Sequence, residues 1–194
     1  MTSTIAAIFL CFLASIQTAK ATEFPYDQSQ VQPFGLINPK AEAAVADYSD
    51  LIGEWNCQIQ IRKDNKWSPK EAMLWRFKYI MNGLAVQDET LKQGGVHTGS
   101  IRQYDLESKQ WQVHYYSLVK NKSTNDGSLP VWVGGKQNNK LVFKRQQPAT
   151  DGTVGFYRLT FFDIEMTGFK WEGAWVNEDA SVVYPTRRIA CKTK

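Results

Sequence analysis

The stretch LIGEWNCQIQIR, residues 51–62, decides the fold. From Gly53 onward it alternates. Trp55, Cys57, Ile59 and Ile61 fall on one face, and Asn56, Gln58, Gln60 and Arg62 on the other. A period of two is the period of a strand, and an apolar set confined to one face belongs to a sheet that is buried on one side only.

The same period runs through the rest of the chain. EAMLWRFKYIM (71–81) places Met73, Trp75, Phe77, Tyr79 and Met81 together, and Asn82-Gly83 follows as a strong hairpin signal. LAVQDETLK returns from that turn, and Gly94-Gly95 turns the chain again. VHTGSIRQYD and QWQVHYYSL flank the polar turn LESK, the latter aligning Trp111, Val113, Tyr115 and Ser117. After a longer polar segment, 119–130, come VWVGG, KLVFKRQ, VGFYRLTFFDI, FKWEGAWVN and SVVYPTRRIACK, separated by short turns. Tyr184-Pro185 suggests a bulge or rim position in the last of them. About ten strands with short connections and no helix between them predict an all-β antiparallel meander. Its regular hairpins favour a closed up-and-down barrel over a sandwich. A barrel of that size is wider than its own side chains readily fill, so a cavity is expected.

The ends of the chain bear on closure. The first 21 residues read as a signal peptide: IAAIFLCFLASI (5–16) is an uncharged apolar run too short to span a bilayer comfortably. Ala19-Lys20-Ala21 supplies a cleavage site, and an uncleaved anchor is the alternative. Removing residues 1–21 leaves two of the three cysteines, Cys57 and Cys191. In an oxidising compartment they are natural disulfide partners. In an even-stranded closed meander, the start of the first strand lies beside the end of the last, where these two residues stand. Two unpaired cysteines acting as small apolar residues remain the other reading.

Residues 22–38 read as an extended arm, and 39–50 as a short helix with Asn38 as N-cap and Pro39 at its first position. Its Ala-rich face suits a plug for one barrel end, and 51–194 form the barrel domain. The basic residues are scattered and the net charge is only +4, or +3 without Lys20. That argues against a nucleic-acid partner, and nothing in the barrel sequence calls for stable membrane insertion. The aromatic fraction of 13% instead needs an apolar wall. Asn121-Lys122-Ser123 fits a glycosylation sequon.

The helix, the opening Gly53-Glu54-Trp55, Arg102-x-Tyr104-Asp105 with Trp111 after the next turn, and YRLTFFDI followed by Phe169-x-Trp171 resemble the calycin superfamily. That group comprises lipocalins, fatty-acid-binding proteins and nitrobindin-like barrels. The chain is most similar to secreted, lipocalin-like bacterial barrels of unassigned activity. The resemblance implies that Trp55 packs across the barrel base and that Arg187 or Arg188 covers it as a cation–π partner. It also implies haem in nitrobindin-like members, held by a histidine near the C-terminus. This chain has only His97 and His114, so no cofactor is expected.

Asp88 shares a strand phase with Leu84 and Val86 and would then point inward, the opposite phase of Ala85, Gln87, Glu89 and Leu91 being less apolar but not decisively so; Arg102 shares a phase with Thr98, Ser100 and Tyr104. A neighbouring Asp88–Arg102 pair inside the barrel would either grip a ligand's carboxylate or carbonyl or serve as a buried ion pair holding register. Trp75, Phe77, Tyr79, Trp111, Tyr115, Trp171 and Trp175 are candidates for the apolar wall. Arg158 is a further inward candidate, unless the more apolar phase Tyr157, Leu159, Phe161 faces the core instead. His97 and His114 lack the close spacing of a metal site, and no nucleophile elbow or phosphate loop occurs.

The expectation is a secreted or periplasmic barrel that holds a small, largely apolar molecule. The helix and the 119–130 loop would gate opposite ends or one mouth. The alternative is an isomerase, cyclase or hydrolase with Asp88 or Glu89 as base and Arg102 as stabiliser. A filled barrel that acts as an envelope interaction protein is a third reading.

Overall fold

A computed structural model of the chain describes residues 24–118 and 130–194. The expected signal peptide, the sequon and nearly all of the 119–130 loop lie outside them. The strands are β1 (Gly53–Lys63), β2 (Lys66–Trp67), β3 (Glu71–Ile80), β4 (Ala85–Leu91), β5 (Thr98–Asp105) and β6 (Gln110–Ser117). They continue as β7 (Val131–Gln137), β8 (Lys140–Gln146), β9 (Gly155–Glu165), β10 (Gly168–Asn177) and β11 (Val183–Thr193). Each long strand pairs antiparallel with the next, and β1 pairs with β11, so ten strands close an up-and-down barrel. The two-residue β2 extends the end of β1 only.

The closing seam runs from Trp55↔Thr193 to Ile61↔Arg187, and Cys57 stands opposite Cys191 within it. The two form a disulfide across a sequence separation of 134. For so long a loop, chain entropy contributes about 4–5 kcal/mol before strain is subtracted.

Alternation follows the sequence pattern. In β3, Met73, Trp75, Phe77 and Tyr79 are buried, whereas Met81 is 57% exposed because it has entered the turn. Met81, Asn82 and Gly83 all have positive φ there, the conformation that Asn and Gly tolerate best. A Cβ on Gly83 would also collide with the Leu36 carbonyl, since the N-terminal arm crosses the turn at this point. The arm is tied down by Tyr79 N–H donating to Phe34 O, Asn38 N–H to Gly83 O and Asn82 N–H to Asp27 Oδ1. Beside Pro185, the register of β10 with β11 skips Thr186, the bulge that the Tyr184-Pro185 pair suggested.

The helix differs from expectation. It is a 3-10 helix running Ala43–Leu51, four residues later than Pro39. Asn38 caps only a turn, its Oδ1 accepting from Lys40 N–H at 2.9 Å. The reason lies in spacing: Val45, Tyr48 and Leu51 are the buried residues, three apart, and a 3-10 helix aligns every third side chain. The plug is therefore this line of larger residues, not the alanine face. Tyr48 meets the Trp111 ring edge-on at 4.8 Å and stacks toward Phe143 at 6.5 Å. The Trp111 indole N–H donates to Asp47 Oδ2 at 3.2 Å.

Candidate functional site

The half of the barrel nearest the helix is solid. Phe77, Phe161 and Phe169 meet one another and Trp75 with ring centroids 5.1–6.1 Å apart. Trp55 caps this stack, 5.2 Å from Phe169, with its indole N–H donating to Leu51 O at 2.8 Å. Neither arginine of the last strand covers Trp55. Register puts Arg187 opposite Ile61 and Arg188 opposite Gln60, at the far end of the seam. Arg188 lies over Trp67 instead, at 4.2 Å.

Above the stack the barrel is hollow. A chamber of about 560 Å³ opens toward the end away from the helix, within the range typical of small-molecule sites. One wall, from β4 and β5, is polar: Asp88, Thr90, Thr98, Ser100 and Arg102. The facing walls are apolar, with Ile59, Met73, Trp75, Trp132, Leu159, Trp171 and Ile189. Tyr115 completes the lining near the mouth, where Lys92 and Glu71 form an ion pair at 3.6 Å.

Asp88 and Arg102 are 3% and 2% exposed. Register sets Asp88 opposite Ser100 and Arg102 opposite Val86, one diagonal step apart on the same face. Arg102 Nη2 donates to Asp88 Oδ1, and Trp75 Nε1 donates to Asp88 Oδ2 at 2.9 Å. Both carboxylate oxygens are thus engaged. The guanidinium lies 5.3–5.7 Å from the ring centroids of Tyr48, Phe161 and Phe77, a cation enclosed by aromatic faces. Burial pulls the Arg102 guanidinium down, but Asp88 and then Tyr48 outweigh it, and its pKa stands above the ordinary value. Arg102 Nε and Nη1 are buried without a hydrogen-bond partner among the described residues. Burial pushes the Tyr48 hydroxyl well above its usual range, with Arg102 opposing.

Of the candidates named from sequence, Trp75, Asp88, Arg102, Tyr115 and Trp171 line the chamber. Phe77 and Trp111 do not: both are fully buried in the solid half. Tyr79 is also packed at the base, where its hydroxyl hydrogen-bonds Ser49 Oγ at 3.1 Å. Trp175 does not line the chamber; its indole N–H donates to Gln147 O at 2.9 Å. Arg158 takes the outward phase and lies 4.0 Å from Glu172, while Tyr157 and Leu159 face in. Glu89 also points outward, between Arg76 and Lys78 at 3.6 and 3.8 Å. It is not available to the chamber as a base. Sequence reasoning missed Trp132, whose signal was a tryptophan alternating with Val131 and Val133, and the rim arginines Arg62 and Arg145. No group of three His, Cys, Asp or Glu side chains able to hold a metal ion occurs among the described residues.

The closed ten-stranded antiparallel barrel fits a calycin-like fold and is compatible with ligand binding. No protein-family model matches the chain, and no curated protein matches it.

Proposed function

We propose that this chain is an exported, lipocalin-like barrel of the calycin type that binds one small, largely apolar molecule in its chamber. The observation that carries this reading is the 560 Å³ hollow itself. A filled barrel would have continued the ring stack of the base upward. Here the side chains of Trp171, Leu159 and Tyr115 remain only partly buried. Apolar surface left half-wet inside a concave wall is what a ligand covers favourably. The polar stripe on β4 and β5 accommodates a hydroxyl, carbonyl or similar group on one side of such a molecule. Asp88 has both oxygens occupied, which favours a structural role at the chamber floor over a catalytic base. Export is supported by the disulfide, which suits an oxidising compartment.

Native mass spectrometry of protein purified from its natural envelope or medium tests the reading. The expected spectrum carries a mass increment that disappears on denaturation. An environment-sensitive apolar fluorophore should brighten on addition and be displaced by the extracted molecule. Leu159→Trp, which fills the chamber, should abolish both signals while leaving thermal unfolding cooperative. Probe enhancement that persists in Leu159→Trp would refute the chamber as the site.

A further inference from the structure

At the open end the chamber meets a second recess of about 420 Å³. The two share Ile61, Tyr115, Trp132, Tyr157 and Arg187 in their walls. The recess is lined by three arginines, Arg62 from β1, Arg145 from β8 and Arg187 from β11, and by no aspartate or glutamate. None of the three lies within 4.0 Å of a carboxylate among the described residues. Two are instead held by rings. The Arg145 guanidinium lies 4.3 Å over Trp132, and that of Arg62 lies 4.5 Å over Tyr184. Rings orient a cation without neutralising it. Burial pulls the Arg145 guanidinium below its ordinary value, with Tyr157 opposing, and its Nη2 donates to a neutral acceptor, Gln147 Oε1, at 2.5 Å. Two donors are left over as well: Arg62 Nε and Trp132 Nε1 are buried without a hydrogen-bond partner among the described residues. Buried donors are nearly always paired, so an acceptor belongs here.

The contrast with the chamber floor decides where an anion goes. The charge on Arg102 is already matched by Asp88. The charges at the mouth are not matched. We propose that this recess is an anion-binding vestibule, which takes the carboxylate, sulfate or phosphate group of an amphiphile whose apolar body lies in the chamber below. The inference rests on the ligand-binding reading of the chamber and adds the ligand's charge and its orientation, head toward the mouth. Arginine suits the task, since its planar fork presents paired donors to carboxylate and phosphate oxygens alike.

Isothermal titration of the full chain with dodecanol, dodecanoate, dodecyl sulfate and dodecyl phosphate, each below its self-association concentration, separates the two ideas. The anions should bind at least about tenfold more tightly than the alcohol. The preferred anion identifies the head group, and added salt should weaken the anions alone. Arg187→Gln and Arg145→Gln should each lower affinity for the anions about tenfold more than affinity for dodecanol. Arg187 is exposed, so its substitution leaves folding intact, which a thermal melt checks. Equal binding of alcohol and anions would overturn the vestibule while leaving the chamber standing. An anion preference that survives the Arg145→Gln/Arg187→Gln double variant would place the head elsewhere and overturn it too. Binding of none of the four would overturn both readings.

Discussion

The two ends of this barrel are made from the same ten strands, yet one is solid and the other hollow. At the base, Tyr48, Phe77, Trp111, Phe143 and Phe161 are at most marginally exposed and interlock ring against ring. At the mouth, Tyr115, Tyr157 and Trp171 occupy equivalent inward positions and stay partly exposed. The difference does not come from the strands. The base has a plug, the 3-10 helix, and the arm that wraps the β3–β4 turn. The boundary is the Arg102–Asp88 pair with Trp75. Stability is concentrated below that boundary, and the surface able to bind something lies above it. Removing contacts at one end should therefore cost folding, and at the other, recognition.

The seam disulfide, flanked by Met73 of the chamber wall and Phe169 of the ring stack, should show the largest effect. A Cys57→Ala/Cys191→Ala variant is expected to lose about 4–5 kcal/mol. For a chain of this size that is roughly 10–15 °C in Tm, measured by calorimetry against the oxidised protein. Probe binding at a temperature where the variant is folded should be retained, since neither cysteine lines the chamber. Paired tryptophan truncations sharpen the contrast. Trp111→Ala at the base should cost about 3–5 kcal/mol, as for other large core deletions. Trp171→Ala on the chamber wall should cost only about 1 kcal/mol, but weaken ligand binding. Denaturant melts and probe titrations of the same two variants test it, and similar losses of stability would erase the distinction between the ends. Asp88→Ala tests the boundary. Leaving Arg102 buried without its carboxylate should cost about 3–5 kcal/mol, whereas a compensating Asp88→Ala/Arg102→Met variant should recover much of that loss.

The solid half was the more legible from sequence. Two-residue alternation in β1 and β3, the Asn82-Gly83 turn and the positions of Cys57 and Cys191 are local or terminal signals, and each carries its own geometry. The Asp88–Arg102 pair was readable too, because two short strands joined by one turn leave few registers. Which aromatic residues wall a cavity was not readable. Phe77 and Trp75 share a face of one strand, and only the height of the plug decides that one is sealed and the other meets the chamber. Arg158 was undecidable for a similar reason. Its neighbours Tyr157 and Leu159 turn in, but the phase of β9 is set by pairing with β8 and β10, not by β9 alone. The rim arginines escaped notice because they come from β1, β8 and β11, far apart in sequence and adjacent only at the mouth. Arg187, considered as a cover for Trp55, belongs to the opposite end of the molecule.

The smallest effect concerns Tyr48, the residue on which the plug turns. Its hydroxyl is fully buried and has no hydrogen-bond partner of good geometry among the described residues. Removing it should change stability at neutral pH by about 1 kcal/mol or less, the scale of one weak contact between a neutral hydroxyl and the Arg102 guanidinium. Alkali should separate the two proteins. Burial first of all, with Asp88 and Asp47 adding to it and Arg102 opposing, raises the folded-state pKa of this phenol above its unfolded value. A raised value means that the contribution of Tyr48 is fully present below about pH 10, where a phenol in the unfolded chain begins to ionise. It is lost progressively as the pH rises beyond that, because the unfolded chain releases a proton that the folded one retains. Tyr79 and Tyr116 are shifted in the same direction by burial, so alkaline destabilisation should persist in Tyr48→Phe with a shallower slope. Denaturant midpoints between neutral pH and about pH 11 measure that slope. Identical slopes in wild type and variant would mean that water reaches the plug, and that the end described here as solid is not.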